Sequence, residues 1–291
     1  MRGSWPVDGR LLVLAAGVLL AGIFALLFNA SPSPEGVSLD VSFIDVGQGD
    51  ATLVVARNST HAVSLLVDAG DAAHGTAVAS FIIQRDPSLD YAVATHPDAD
   101  HIGGMAEVLE VLRPSVVMEN GDVKGTKTFA SFEQAAALAG ERRVARSGDE
   151  FPLVDGVTVL VLSPASEFFN SSTSANDKSI ALKVSLGSFC LILTGDAEAP
   201  AEAEMVSAWG AQLDCPALKA GHHGSKTAST QGFLSAVSPD VVAISVGAAN
   251  RYGHPAPEAL QRIAASGAAV LRTDERGSIT IATTGRGYTV N

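Results

Sequence analysis

Cysteine is nearly absent: Cys190 and Cys215 are the only two in 291 residues. That excludes a disulfide framework of the kind that staples small secreted domains. Both lie in apolar, strand-like runs, so buried free thiols are expected. Positive charge is scarce as well, with 19 Lys and Arg against 31 Asp and Glu for a formal net charge of −12. This balance disfavours a broad nucleic-acid footprint, because phosphate binding draws on clustered cations. A metal site could replace part of the missing charge. With 47% hydrophobic and 17% charged residues, the chain is globular rather than disordered and can bury one large core or two small ones. No internal repeat is visible.

Residues 11–28 form one uninterrupted run of apolar and small residues, just long enough to cross a bilayer as a helix. Arg2 and Arg10 precede it and residues 29–37 carry no positive charge, so the amino terminus is expected in the cytoplasm and the remainder outside. A cleaved signal peptide is the rival reading. Phe28-Asn29-Ala30 makes a poor small-x-small cleavage site and no cysteine follows for lipid attachment, which favours an uncleaved transmembrane anchor over residues 1–30. A Ser/Pro linker at 31–37 then leads to one domain, 38–291.

Within that domain, residues 38–46 alternate apolar and polar, meet Gly47-Gln48-Gly49-Asp50, and continue into a second strand at 51–56. This predicts a hairpin. Residues 62–67 extend the sheet and end in Asp68-Ala69-Gly70, where Asp68 is either a turn former or a brace for a nearby metal ligand. Helical patterns at 76–84, 106–112 and 129–138 alternate with strand-like runs at 90–95, 115–118, 157–162, 179–186 and 188–194. Further strands are expected at 213–220 and 241–246. Periodicity alone gives α/β or α+β.

The densest chemistry is Thr95-His96-Pro97-Asp98-Ala99-Asp100-His101, with two imidazoles and two carboxylates in six positions directly after a strand. Donors on a short loop between rigid elements reach metal-ligand distances with little entropy loss, so this loop is expected to bind metal. Asp196 follows a buried strand, where an unpaired carboxylate is costly unless a cation balances it. Its competing role is a helix cap before residues 197–209. His222-His223 stands at another strand end before Gly224; one imidazole is expected to ligate, and the other to contact substrate or move a proton.

The loop resembles the His-x-His-x-Asp-His signature of the metallo-β-lactamase superfamily, with Asp98 in place of the second His. The exchange adds a hard oxygen donor, so Mn²⁺ or Mg²⁺ joins Zn²⁺ as a fitting occupant. Asp45-Val46-Gly47-Gln48-Gly49-Asp50, Thr194-Gly195-Asp196, Lys219 to Lys226 (Lys-Ala-Gly-His-His-Gly-Ser-Lys), Asn250-Arg251-Tyr252-Gly253-His254-Pro255 and Arg272-Thr273-Asp274-Glu275-Arg276-Gly277 follow in family order. They narrow the resemblance to the metallo-β-lactamase-like domain of the ComEC family of DNA-uptake competence proteins, over residues 39–290. The many-helix channel and oligonucleotide-binding-like domain of those proteins have no counterpart in these residues, so carrying DNA across a membrane is not implied.

The resemblance implies an αββα sandwich of two mixed sheets with outer helices, holding two divalent metal ions, Mn or Zn with Mg as an alternative. His96, Asp98, Asp100, His101, Asp196, His222 and His223 are the implied ligand set, with Asp196 bridging. Asp100, His223 and His254 are implied catalytic residues. Asn176 or Asp177 stands where many members have a further His. Asp68, Asn176, Asp177, Lys226 and Asn250 are expected behind the ligands or against substrate. Lys219, Lys226, Lys178 and Arg251 form a cationic mouth for phosphate if they converge. The implied function is hydrolysis of a phosphodiester by metal-bound hydroxide, with extracytoplasmic DNA as substrate. The alternatives are an exported esterase for phosphocholine-type diesters and a non-catalytic nucleic-acid-binding competence module.

Overall fold

The computed structural model describes residues 35–86, 88–167 and 173–291. The expected membrane anchor at 1–30 lies outside the described residues. Among the described residues, no helix is long and apolar enough to cross a membrane.

The expected hairpin forms from β1 (Ser38–Phe43) and β2 (Thr52–Arg57), paired antiparallel with Leu39 opposite Ala56 and Phe43 opposite Thr52. Residues 44–46 leave the ladder to make the turn. β3 (Ala62–Val67), β4 (Tyr91–Ala94), β5 (Val116–Glu119) and β6 (Glu141–Val144) continue this sheet. The second sheet holds β7 (Glu150–Pro152), β8 (Val157–Ser163), β9 (Ala181–Leu186), β10 (Phe189–Leu193), β11 (Ala217–Lys219), β12 (Val241–Ile244) and β13 (Ala269–Arg272). The chain then returns to the first sheet as β14 (Ile279–Thr283) and β15 (Thr289–Val290). The strand orders are β15-β14-β1-β2-β3-β4-β5-β6 and β13-β12-β11-β10-β9-β8-β7. Both sheets are mixed: β3 to β6 run parallel, as do β10 to β13, and the other neighbours are antiparallel.

Helices α1 (Gly75–Ile83), α2 (Ala99–Ile102), α3 (Met105–Leu112) and α4 (Lys127–Ala136) cover the first sheet. Helices α5 (Ala199–Trp209), α6 (Gln231–Val237) and α7 (Pro257–Ala265) cover the second, and the short α8 (Thr273–Arg276) follows β13. The layering follows from strand periodicity, since successive side chains point to opposite faces. In β2, Val54 and Ala56 enter the core between the sheets with Val41, Leu65, Val161 and Leu191, while Leu53 and Val55 meet Val78, Ile82 and Phe132 under the helices. In β10, Leu191 faces the central core and Ile192 faces Met205 and Phe233. The result is the expected αββα sandwich.

Three expectations need correction. The strand expected at 213–220 covers only Ala217–Lys219, because a 3-10 turn occupies Gly210–Leu213 and Pro216 lacks the N–H that a ladder requires. Helix α5 starts at Ala199 rather than at residue 197. The cysteines are not free thiols: Cys190 on β10 and Cys215 just before β11 form a disulfide, their Cα atoms 5.2 Å apart. Parallel pairing of these neighbouring strands, with Leu191 opposite Ala217, brings the two positions together.

Candidate metal centre

The loops that follow β3, β4, β10, β11 and β12 gather at one edge of the sandwich, together with the β1–β2 turn. Parallel strands present their carboxyl ends on the same side, which is where open α/β sheets collect functional side chains.

Asp68 follows β3 in a left-handed conformation, φ 58°, which short polar side chains tolerate better than most. It is buried, and its Oδ1 accepts from the Thr95 backbone N–H at 2.9 Å while its Oδ2 accepts from Thr95 Oγ1 at 2.7 Å. Oδ2 also lies 2.7 Å from His101 Nδ1. Asp68 therefore serves both the turn after β3 and the orientation of the His101 ring. With Nδ1 against Asp68, His101 presents Nε2 to the cleft, 3.2 Å from Asp196 Oδ1, and against the effect of burial these two carboxylates raise its pKa well above the ordinary imidazole value.

His96 is buried in front of the second sheet, with Nδ1 near Thr95 Oγ1 at 3.1 Å and Ser179 Oγ at 3.3 Å. Its Nε2 points at Asp196 Oδ2, 3.9 Å away, and at Asp98 Oδ1, 4.0 Å away. Burial and the neighbouring His101 lower its pKa to about 4, so it is a neutral imidazole, the form that ligates a metal. Asp98 is half-buried and pairs with Lys124 Nζ at 2.6 Å.

Asp196 is the hub. Gly195 before it adopts φ 53°, and a Cβ there would press on Ser179 and Thr95 at 3.0 Å, so glycine lets the turn close onto the β4 loop. Asp196 accepts no cap bond for α5; the N-cap position belongs to Glu198, which sets the helix-cap reading aside. Its carboxylate lies within 3.2 to 3.9 Å of ring nitrogens of His96, His101, His222 and His223. Burial would raise this carboxyl, yet His101 and His223 hold it well below the usual carboxylate range.

His222 and His223 both have positive φ, 47° and 52°, inside the 3-10 turn Gly221–Gly224. The turn sends His223 inward. Its Nδ1 lies 3.0 Å from Ser245 O and 3.3 Å from Asp50 Oδ1, and its Nε2 faces Asp100 Oδ2 at 3.5 Å and Asp196 Oδ2 at 3.7 Å. His222 stays partly exposed, with Nδ1 2.8 Å from Glu198 Oε1 and 3.3 Å from Asn176 Nδ2.

Asp50 and Lys219 form a buried support that sequence reasoning missed. Lys219 Nζ lies 2.5 Å from Asp50 Oδ2 and also donates to the carbonyls of Gly195 and Ala220. Both side chains are almost wholly buried. Burial would raise the Asp50 carboxyl, and the Lys219 ammonium and His223 beside it push it down instead. Gly47-Gln48-Gly49-Asp50 was the available signal. A Cβ on Gly49 would sit 2.4 Å from the Asp100 carbonyl, and Asp50 N–H donates to that same carbonyl at 3.1 Å, so the hairpin turn is moulded onto the β4 loop.

The remaining expected residues divide. Asp98, Asp100, Asn176, Asp196, His222, His223 and His254 line one cleft of about 120 Å³ with Gln48 and Tyr252. Asp177 is not in it; its carboxylate accepts from Ser174 Oγ and from the Glu198 and Ala201 N–H groups, satisfying the start of α5. Asn250 shapes its own loop, accepting from Tyr252 and His254 N–H and donating to the carbonyls of Gly247 and His254. The four cations do not converge. Lys219 is turned inside, Lys178 is buried beside Asp122 at 3.3 Å, Arg251 lies over the Tyr252 ring, and Lys226 lines a neighbouring pocket of about 330 Å³ with Glu198 and Arg262.

Do these donors fit a cation? Asp50, Asp68 and Asp196 are each no more than 3% exposed, and Lys219 is the buried ammonium among them. Buried carboxylates need a compensating positive charge, which a divalent ion can supply in place of protons on His101 and His223, whose pKa values, against the effect of burial, these carboxylates raise. Moreover, the buried atoms Asp196 Oδ1 and Nε2 of His96, His101 and His223 have no hydrogen-bond partner. Donors of His96, His101 and Asp196 come within 4.8 Å of one another, as do those of Asp100, His101 and His223. This donor set fits divalent metal.

An αββα sandwich with a His/Asp cluster at its strand ends defines a class of metal-binding proteins that are generally hydrolases. The metallo-β-lactamase superfamily model matches residues 44–247, and the chain belongs to that superfamily. The likeness to competence proteins also holds. The chain is 33% identical over 266 residues to competence protein ComA of Neisseria gonorrhoeae, covering 91% of this chain and 35% of that protein. It is 31% identical over 289 residues to ComE operon protein 3 of Bacillus subtilis, covering 92% and 36%. The chain thus spans about a third of the length of these relatives. The metallo-β-lactamase fold protein YhfI of Bacillus subtilis shares the fold, with TM-score 0.54 at 14% identity over 84% of this chain and 99% of that one.

Proposed function

We propose that this protein is a metal-dependent phosphodiesterase acting on nucleic acid outside the cytoplasm. The observation that carries the reading is the convergence of buried, unpartnered donor atoms of His96, His101, Asp196 and His223, from three separated loops, beside one polar cleft. His96, Asp98, Asp100, His101, Asp196 and His223 would hold two divalent ions, Mn²⁺ or Zn²⁺ with Mg²⁺ as an alternative. Bound there, such ions polarise a phosphoryl oxygen and bring the pKa of water towards neutrality.

The protein's own groups supply position and proton transfer. Asp68 and the Ser245 carbonyl fix which nitrogen of His101 and of His223 faces the cleft. His254 stands at the mouth with its ring centroid 5.3 Å from that of His222. Burial and the nearby His222 and His223 lower its pKa, which favours the neutral imidazole, a form that can accept a proton from an attacking water. His222, held by Glu198, reaches a non-bridging phosphate oxygen from the same rim.

Nucleic acid is favoured as substrate by the likeness to competence proteins. A choline ester is less well served, because cation recognition uses aromatic cages and Tyr252 is the one Phe, Tyr or Trp among the described residues lining the cleft. The Cys190–Cys215 disulfide supports an oxidising compartment, in keeping with a domain held outside the membrane by residues 1–30. The test is Asp196→Ala, with Asp196→Asn beside it. Metal content and turnover on DNA and on a small diester should fall together by about 100-fold or more, the scale of removing a group central to catalysis. A metal-loaded, fully active Asp196→Ala protein would defeat the reading, and a metal-loaded native protein inert on every diester would favour a non-catalytic binding module.

A further inference from the structure

Asp98 replaces the second His of the superfamily signature, and its carboxylate already has a cation. Lys124 Nζ lies 2.6 Å from Asp98 Oδ1, whereas His96 Nε2 is 4.0 Å from that oxygen. Lys124 is delivered by the β5–α4 loop, which is tied down at several points. Asn120 Nδ2 donates to Lys178 O at 3.0 Å, Asp122 N–H donates to Asn120 Oδ1 at 2.9 Å, and Arg146 Nη1 donates to Asn120 O at 2.7 Å. Thr126 then caps α4 through the Phe129 N–H. The ammonium is therefore held at the rim of the cleft by local structure.

Among the described residues, the convergent donor groups draw on Asp50, Asp68, His96, Asp100, His101, Asp196 and His223, and none includes Asp98. Asn176, the other residue on that flank, offers an amide in place of an imidazole. One carboxylate oxygen cannot serve an ammonium and a dication equally, and a positive charge beside an empty ligand position repels an incoming cation.

Resting on the metal-dependent reading above, we infer that Lys124 is the resident counter-cation of the His96 flank. The chain then takes one divalent ion firmly on Asp100, His101, His223 and Asp196. It takes a second on His96, Asp196 and Asp98 only when Lys124 withdraws. The exchange is accessible because both partners are partly solvated, 40% and 31% exposed in their side chains, and such pairs are individually weak.

Titration of the metal-free full chain with Mn²⁺, followed by calorimetry and by electron paramagnetic resonance, tests this. The native protein should show one tight equivalent with a mononuclear signal and a distinctly weaker second. Lys124→Ala should tighten the second equivalent by about tenfold, the scale of removing one solvated positive charge near the ion, and a spin-coupled pair should appear at lower metal concentration. The double variant Lys124→Ala/Asp98→Ala should lose that gain, because the released carboxylate is its source. Two equivalents of equal affinity in the native protein, no change in Lys124→Ala, or a gain that survives in the double variant each overturn the inference while leaving the metal-dependent reading standing. No cation uptake by the native protein defeats both.

Discussion

On the flank of the cleft formed by Asp100, His101 and His223, the ring nitrogens pointing away from the centre rest on buried oxygens, of Asp68 at 2.7 Å and of Ser245 at 3.0 Å. On the His96 flank the supports are the hydroxyls of Thr95 and Ser179, while Asp98 leans on the half-exposed Lys124. A carboxylate or a carbonyl can only accept, so it fixes the imidazole tautomer; Thr95 Oγ1, its proton given to Asp68, also only accepts, but the Ser179 hydroxyl donates or accepts, and Asp98 rests on a solvated lysine, so this flank is held less firmly. The first flank is pre-organised and the second adaptable. Disturbing each flank in turn should expose that difference.

The largest expected effect is at the base of the pre-organised flank. Lys219→Met leaves the Asp50 carboxylate buried without its ammonium, and breaking a buried pair this way costs about 3–5 kcal/mol. Urea unfolding of the metal-free protein measures it, and adding Asp50→Asn to Lys219→Met should recover a good part. An unaltered midpoint in the single variant would show that the pair supports nothing.

Asp68→Asn comes next. It turns an amide N–H₂ or a neutral oxygen towards His101 Nδ1, and loss of such a support typically weakens metal binding by about 10–100-fold. Calorimetric titration of the first cation reads this directly. The matching change across the cleft is Asn176→Ala, which should shift cation affinity by no more than about 0.5 kcal/mol, as for a residue outside the principal contacts. A loss as large as that of Asp68→Asn would make Asn176 a ligand and erase the contrast between the flanks.

The supports of the pre-organised flank were harder to read from sequence than its ligands. His96, Asp98, Asp100 and His101 stand together in one loop, and Asp196 and the His pair each end an apolar run, so local pattern exposes them. Asp50 and Lys219 are joined only when the β1–β2 turn meets the end of β11, a contact without local periodicity. Which of His222 and His223 turns inward depends on two successive positive φ values that no spacing rule anticipates. β6 was invisible for a different reason: Glu141, Arg142, Arg143 and Val144 are all exposed, and parallel pairing with β5 alone makes them a strand. The disulfide likewise depends on which strands become neighbours, not on the separation of 25 residues.

The smallest effect concerns a support one step further from the cleft. Glu202 on α5 is buried and accepts from the N–H groups of Ser229 at 2.5 Å and Thr230 at 2.8 Å, fastening the segment that follows the His pair. Arg262 binds the Ser229 carbonyl of that segment from α7. Burial raises the Glu202 pKa above its ordinary 4.5, and the hydrogen bonds from Thr230 and Ser229 only partly offset it. The folded state therefore holds this proton more tightly than the unfolded chain does. Stability from this group is fully present below about pH 4.5 and declines as pH rises through the folded value, then levels off. Glu202→Gln cannot titrate, and comparing it with the native protein cancels every other carboxylate. The stability difference between them should favour the native protein most at acid pH and shrink as pH rises through and above 4.5. A difference that stays constant from pH 4 to 7 would mean that Glu202 titrates alike in both states, and the anchoring of the segment after His223 would then owe nothing to its charge.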